Sequence, residues 1–553
     1  MQNLIFTLIV SLGILLPDLF LGHILKAISY AVPLPHLAGV VSLATLLSPD
    51  LIFKMLTCTI PLTNLLGVVA FSATLSFVRN RWALAVVVGL IILTQTIQVN
   101  HWAYFGAPIH SQDISKAFVE LDEITQTGAS LVHVLWSVWL TLIASYGLII
   151  SGILYTKNRK QLPFAWVLIV LALGITPILA HIKGPSSFYT KPTYTTIYNS
   201  VRAFSDWIVH SKSTVKSHDY KPHTVTYSAP KVKNVVLIMG ESLSSRYMHL
   251  YGYNQPNTPY LDSLKNNPNF AYAKGVSSSV STRTCLQLFF NTFHNPGFVE
   301  SIRKKDANLF RLARHQGYKT FVLSAQNEKL FHDTGTEFVD VFASEKEMHQ
   351  ALAEKGDEAL LDAMAVLELG DKNFIVIHLR HIHCPFGAYA KYHPELAVAV
   401  DHKNRASETQ QEYSNAIAYH DYWVKQCIER VQKILPTDTV VLFTSDHGQL
   451  LGERGLFGHN QMQPEVTDVP VWMLSINADP ALIAPLKNQQ IFSHYDLGKH
   501  VASLFGASIS NPNEHPTLQY VHGSEIYSAY EYMPWEKSAQ GVAFLENRWV
   551  GQN

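Results

Sequence analysis

The chain has 553 residues, too long for one small domain. Its 42 basic and 42 acidic side chains cancel, which excludes a strongly basic whole-chain footprint for nucleic acid and an acidic disordered tail. Charged residues make up only 15%, and the deficit lies at one end: residues 1–182 hold 14 of them, 8 basic and 6 acidic, and residues 183–553 hold the other 70. The composition reads as a lipid-soluble part followed by a water-soluble part.

A membrane-crossing helix needs about 20 mostly apolar residues, because no backbone group facing lipid can go unpaired. In chain order, Leu4 to Leu21 could span, with Pro17 and Asp18 near its end, and Ala31 to Leu47 could span but is weakened by Pro33 and Pro35. Four later runs, 56–78, 82–99, 131–155 and 163–182, fit better. The start lacks a basic region and a small-residue cleavage site, so it reads as an anchor and not a removed signal peptide. Placing the basic turns Arg79–Arg81 and Lys157–Lys160 in the cytoplasm sends residues 100–130, and everything after 182, outward. One early span then gives five helices and two give six.

In the outer loop, Ile114, Phe118, Leu121 and Ile124 recur at helical spacing, with Lys116, Glu120 and Glu123 between them. This predicts an amphipathic helix near 112–125 that lies on the membrane surface or packs against a neighbour. Residues 183–230 read as a bridging linker, with a helical stretch from Thr196 to Val209. Of four cysteines, Cys58 falls in an apolar run, and Cys285, Cys384 and Cys427 allow at most one bridge and no zinc-ribbon spacing.

From residue 231 to 553 the pattern changes. Val232–Met239, Phe374–Leu379 and Thr439–Thr444 are short β-branched runs of the kind buried in parallel sheets, and helical segments such as Glu345–Leu369 and Gln411–Ile434 lie between them. The expected fold is an α/β/α sandwich with a mostly parallel sheet, whose chemistry collects at the carboxyl ends of the strands. Polar residues sit there: Glu241 after the first strand, His381 and His383 after the second, and Asp446-His447 after the third. Mixed oxygen and nitrogen donors of this kind suit Zn²⁺, with Mn²⁺ the weaker fit. Glu453 and Arg454 read as a solvated pair, and His381 as structural.

The segments NVVLIMGES (234–242), YGYNQPNTPYLDSL (251–264), STRTCLQLFF (281–290), HIHCPFGAY (381–389) and TSDHGQLLGERGLFGHN (444–460) resemble the alkaline phosphatase and sulfatase superfamily. More closely, they resemble the membrane-anchored phosphoethanolamine transferases of Gram-negative bacteria, as does the outer-loop segment YFGAPIHSQDISKAFVELDE (104–123). The resemblance implies a multi-pass inner-membrane protein with a periplasmic catalytic domain. It implies one or two zinc ions, with Glu241, Thr282, Asp446 and His447 as ligands and Thr282 as nucleophile. It makes His383 and His459 contacts to the phosphoryl group or to a second zinc, and Glu120 a contact to the ethanolamine head group.

The implied reaction moves phosphoethanolamine from phosphatidylethanolamine to an envelope glycan or glycolipid by way of phospho-threonine. Metal coordination supplies the activation that a threonine hydroxyl lacks at neutral pH. Three soluble cysteines cannot make the several disulfides usual in the lipid A-modifying members, and Gln449 stands where those members often have Glu. Both departures favour a lipopolysaccharide core sugar as acceptor, ahead of lipid A. The alternatives are a phosphoglycerol transferase using phosphatidylglycerol, and a membrane-anchored sulfatase or phosphatase. The sulfatase pattern of Cys or Ser followed by x-Pro-x-Arg is missing around Ser281–Cys285.

Overall fold

A computed structural model describes residues 1–19, 62–119, 136–184, 188–191, 194–210, 219–396, 405–489, 491–527, 530–538 and 541–550. Among the described residues, the N-terminal part holds five apolar helices: Gln2–Leu19, Leu62–Ser76, Arg81–Phe105, Trp136–Tyr155 and Ala165–Lys183. Among the described residues, three of these (Arg81–Phe105, Trp136–Tyr155 and Ala165–Lys183) are long and apolar enough to cross a membrane, and the apolar stretches Gln2–Asp18 and Thr63–Ser76 are shorter. Outward-facing Leu90, Leu93, Leu140, Ile143, Leu168 and Leu171 are exposed, a pattern suited to lipid and not to water. Small residues set the helix contacts. A Cβ on Gly13 would lie 2.7 Å from Ile149, and Ser145 Oγ donates to the Gly13 carbonyl at 2.6 Å.

The soluble part is built on an eight-stranded mixed sheet in the order Ile491–Ser493, Phe270–Val276, Asp468–Ile476, Thr439–Ser445, Asn234–Gly240, Asn373–His378, Lys319–Ser324, Val341–Ala343. The last five in this order run parallel, and Asp468–Ile476 lies antiparallel to both its neighbours. Alternation along Asn234–Gly240 explains the two layers. Val236 and Ile238 enter one core with Tyr413, Trp423 and Val431 of the long helix Arg405–Ile434. Val235, Leu237 and Met239 enter the other with Leu286, Phe290, Leu309 and Val501. The single helix expected over Glu345–Leu369 is two, Glu345–Lys355 and Glu358–Ala365. At the break, the Asp357 carboxylate accepts the backbone N–H of Arg380 at 2.6 Å and of His381 at 3.0 Å.

A small antiparallel sheet, Gln519–His522, Glu531–Ser538, Gly541–Phe544 and Arg548–Trp549, buttresses the loop ahead of Thr282. The His522 N–H donates to the Ser278 carbonyl at 2.8 Å.

Within the linker, helix Thr196–His210 is tied to the first helix. Asp18 Oδ1 accepts the Thr196 N–H at 2.6 Å and Oδ2 accepts its hydroxyl at 3.2 Å, so a carboxylate sits at that helix's N-terminus. Asp18→Ala is expected to cost about 1 kcal/mol, seen as a lower unfolding temperature in detergent, with Asp18→Asn losing less.

Candidate active site

Strand register brings the acidic groups together. Gly240 pairs with Ser445 in the parallel ladder, so Glu241 and Asp446 leave adjacent strand ends side by side. The Asp446 N–H donates to the Gly240 carbonyl at 3.0 Å. Ser242 follows with a φ of 56°, a left-handed conformation costly for a non-glycine residue. That turn lets its N–H donate to Asp446 Oδ1 at 2.9 Å and its hydroxyl to Glu241 Oε1 at 2.6 Å. His447 Nδ1 lies 2.9 Å from the Gly448 carbonyl, a bond that makes Nδ1 a donor and turns Nε2 toward the carboxylates.

Thr282 is the first residue of helix Thr282–Phe290. Its Oγ1 lies 3.2 Å from Glu241 Oε2 and 3.2 Å from His447 Nε2. Neighbouring hydroxyls point elsewhere: Ser279 donates to the Gly523 carbonyl at 2.9 Å and Thr284 to the Ser524 carbonyl at 2.8 Å. The helix N-terminus adds unpaired N–H groups and the positive end of its dipole, a setting that favours an anionic phosphate.

One donor atom of Glu241, Asp446 and His447 each can be chosen so that all lie within 4.8 Å of one another, and all three residues are buried. Asp446 Oδ2 is buried with no hydrogen-bond partner. Burial, then the charge of Glu241, pushes the Asp446 carboxyl well up from its ordinary range. Burial also works against ionised Glu241, but His447, His383 and His459 outweigh it and hold that carboxyl low. Two buried acids side by side with an orphaned oxygen call for a cation. Together with an imidazole nitrogen facing inward, they form a donor set that fits a divalent metal.

The other expected residues are placed as follows. The His459 ring packs against His447 with centroids 4.2 Å apart, and its Nδ1 lies 3.2 Å from Gln449 Oε1. His383 Nδ1 lies 2.8 Å from the Cys384 carbonyl. His381 is buried between Asp357, at 2.8 Å, and His420, at 3.0 Å. Glu120 and the helical positions after Val119 lie outside the described residues. Glu453 and Arg454 do not pair with each other: Arg454 holds Glu465 at 2.7 and 2.8 Å, and Glu453 accepts the Leu451 N–H at 2.6 Å and the Tyr247 hydroxyl. Among the described residues, no disulfide joins Cys285, Cys384 or Cys427.

Two contributors were not singled out from the sequence. Gln326, just beyond the end of strand Lys319–Ser324, donates to Glu241 Oε2 and to the Leu379 carbonyl, both at 2.8 Å. Its signal was the short run KTFVLS, a further buried strand. Lys116, on helix Ser111–Val119, donates to Ser281 Oγ at 2.7 Å and to Asn460 Oδ1. Its charge is felt at His447 and His459.

The end of helix Arg81–Phe105 seats against the same loops. Gly106 caps it at a φ of +80°, where a Cβ would fall 2.5 Å from the Gly455 carbonyl oxygen. A Cβ on Gly458 would fall 2.7 Å from the Phe105 ring. Tyr104 donates to Cys384 Sγ at 3.2 Å, and Gln461 to the Phe105 carbonyl at 3.2 Å. Gly458→Ala, strained at φ +81° as well as crowded, is expected to cost roughly 1–3 kcal/mol. Gly387→Ala, with nothing within 4 Å, serves as the control that leaves the unfolding temperature unchanged or slightly raised.

Comparison with known proteins bears on the fold. The sulfatase family profile matches residues 233–507. The Kdo(2)-lipid A phosphoethanolamine 7''-transferase of Salmonella typhimurium is 25% identical over 289 residues, 49% of this chain and 49% of that protein. The phosphoethanolamine transferase EptC of Escherichia coli is 25% identical over 333 residues, 57% of this chain and 54% of that protein. The chain thus spans about half the length of the curated relatives it matches. Among solved structures, the integral membrane lipooligosaccharide phosphoethanolamine transferase A (EptA) from Neisseria meningitidis aligns with 91% of this chain and 96% of that one, at a TM-score of 0.57 and 19% identity, a likeness of fold. Residues 233–507 are thus similar to the sulfatase family.

Proposed function

We propose that the chain is a phosphoethanolamine transferase. In this reading it takes phosphoethanolamine from phosphatidylethanolamine and passes it to a cell-envelope glycan or glycolipid, with the site on the outer face of a bacterial inner membrane crossed by five helices. The observation that carries it is the position of Thr282 Oγ1, 3.2 Å from both a carboxylate and an imidazole at a helix N-terminus. The names of the curated relatives supply the transferred group.

Glu241, Asp446, His447 and Thr282 would hold the metal, which we read as zinc from the mixed carboxylate, imidazole and hydroxyl donors. When bound, it would stabilise the threonine oxygen as a nucleophile and offset phosphoryl charge. Thr282 Oγ1 loses its proton and forms a bond to phosphorus. The bond from phosphorus to the diacylglycerol oxygen breaks, and that oxygen takes up a proton. In the second half, an acceptor hydroxyl loses its proton and bonds to the same phosphorus, and the threonine oxygen leaves and is reprotonated. Transfer of this kind depends mainly on position and charge neutralisation. Lys116, the Thr282 helix N-terminus and the histidines His383 and His459 are the groups of this chain that would surround the phosphoryl oxygens.

Thr282→Ala is expected to keep the fold and its metal but to release no burst of diacylglycerol from phosphatidylethanolamine and to lose activity by roughly 10³-fold or more. Full turnover by that variant would reject the nucleophile. Asp446→Ala is expected to lose metal by elemental analysis, and an unchanged content would remove Asp446 from the ligand set. Lys116→Met should slow the burst by about 10²-fold, with Lys116→Arg retaining more of it.

A further inference from the structure

A cavity of about 370 Å³ lies where the outer end of helix Arg81–Phe105 and the loop after it meet the soluble domain. It adjoins the proposed site, because His459 and Asn460 form part of its wall. The His459 ring packs on His447, and Asn460 accepts from Lys116, which in turn donates to Ser281 beside Thr282.

The chemistry of this cavity differs from that of the site beside it. No lysine or arginine is among its described lining residues. Asp113 and Glu531 supply carboxyl groups, and Gln112, Gln463 and Asn547 supply amides. Burial lowers the His110 imidazole to about 4, so it adds no charge at neutral pH. Gln112 Nε2 is buried without a hydrogen-bond partner, and an unmet donor of this kind is costly until something accepts from it. Tyr189, stacked on His110 with centroids 4.1 Å apart, adds an aromatic surface. Positive charge is thus gathered at Lys116 and the Thr282 helix, where the phosphoryl group would sit, while the cavity offers acids, amides and ring faces. A phosphate there would meet Asp113 and Glu531 without a cation to pair with. A hydroxyl-rich ring can both accept from Gln112 and donate to the carboxyl groups.

We propose that this cavity binds the acceptor, and that the acceptor part it holds is an uncharged, hydroxyl-bearing sugar and not a phosphorylated one. The proposal rests on the phosphoethanolamine-transfer reading above. In the second half-reaction a hydroxyl of the bound sugar bonds to the phosphorus of phospho-Thr282 and releases its proton, while the bond to Thr282 Oγ1 breaks and that oxygen regains a proton.

The test uses the full chain in phosphatidylethanolamine nanodiscs, with maltose and maltose 1-phosphate as paired probes and Gln112→Leu and Asn547→Trp as variants. The expected result is transfer of phosphoethanolamine to maltose at least tenfold better, by kcat/KM, than to maltose 1-phosphate. Each variant should raise the maltose KM at least tenfold while the diacylglycerol burst persists. Equal or better use of maltose 1-phosphate overturns the charge argument. Variants that abolish the burst but not acceptor use assign the cavity to the donor and overturn the proposal. A parent protein with no burst overturns the donor reading alone. The cavity is then judged by saturation-transfer NMR: binding of maltose that each variant weakens at least tenfold supports it, and binding that is absent or unchanged in the variants overturns it.

Discussion

Two carboxyl groups buried side by side are the constraint around which the soluble half is arranged. The parallel register of Gly240 with Ser445 puts Glu241 and Asp446 at neighbouring strand ends, and neither can reach water to spread its charge. The fold meets part of the cost with donors: Ser242 in a left-handed turn, the His447 N–H at 2.7 Å, and Gln326 from the next strand but one. Asp446 Oδ2 is left over. An arrangement that spends backbone strain to keep two acids together, and then leaves one oxygen unmet, makes structural sense when a cation completes it.

The site is also a joint between the two halves of the chain. Glycines at 106 and 458 allow the end of helix Arg81–Phe105 to approach the backbone of the loop carrying His459. Lys116 reaches from helix Ser111–Val119 to Ser281 and Asn460. An apolar bundle and a polar sheet edge therefore share one set of contacts. The proposed reaction between a lipid and an envelope glycan would need such a meeting place, since one substrate would reside in the bilayer and the other outside it. The separation of charge across the joint, basic at Lys116 and acidic at Asp113 and Glu531, would give the two proposed substrates different chemical surroundings within a short span.

Much of the candidate site was readable because its residues follow strands that announce themselves. Runs such as VVLIM and TVVLF are β-branched, short and bounded, so the polar groups just after them had to emerge at the sheet's carboxyl edge. The strands on the other side of Thr439–Ser445 are harder to read. Phe270–Val276 alternates as FAYAKGV and Asp468–Ile476 begins with Asp-Val-Pro, so neither reads as a continuous apolar run, and the mixed character of the sheet follows from Asp468–Ile476, which runs against both its neighbours. The pattern over 345–369 predicts one helix, but the chain breaks at Gly356-Asp357, where the partner of Asp357 comes from 23 residues away. Glu453 and Arg454, adjacent in sequence, diverge because each finds a better-placed partner from another element.

The sequence alone determined the division into an apolar and a polar half, the α/β character of the second, and which acids and imidazoles end its strands. These follow from local periodicity and composition, which act over a few residues. The tertiary structure decided which hydroxyl among Ser279, Ser281, Thr282 and Thr284 faces those groups, and that Gln326 and Lys116 stand beside them. Such facts depend on strand register and on the docking of one half against the other, and the separation of 165 residues between Lys116 and Ser281 leaves no trace in local pattern.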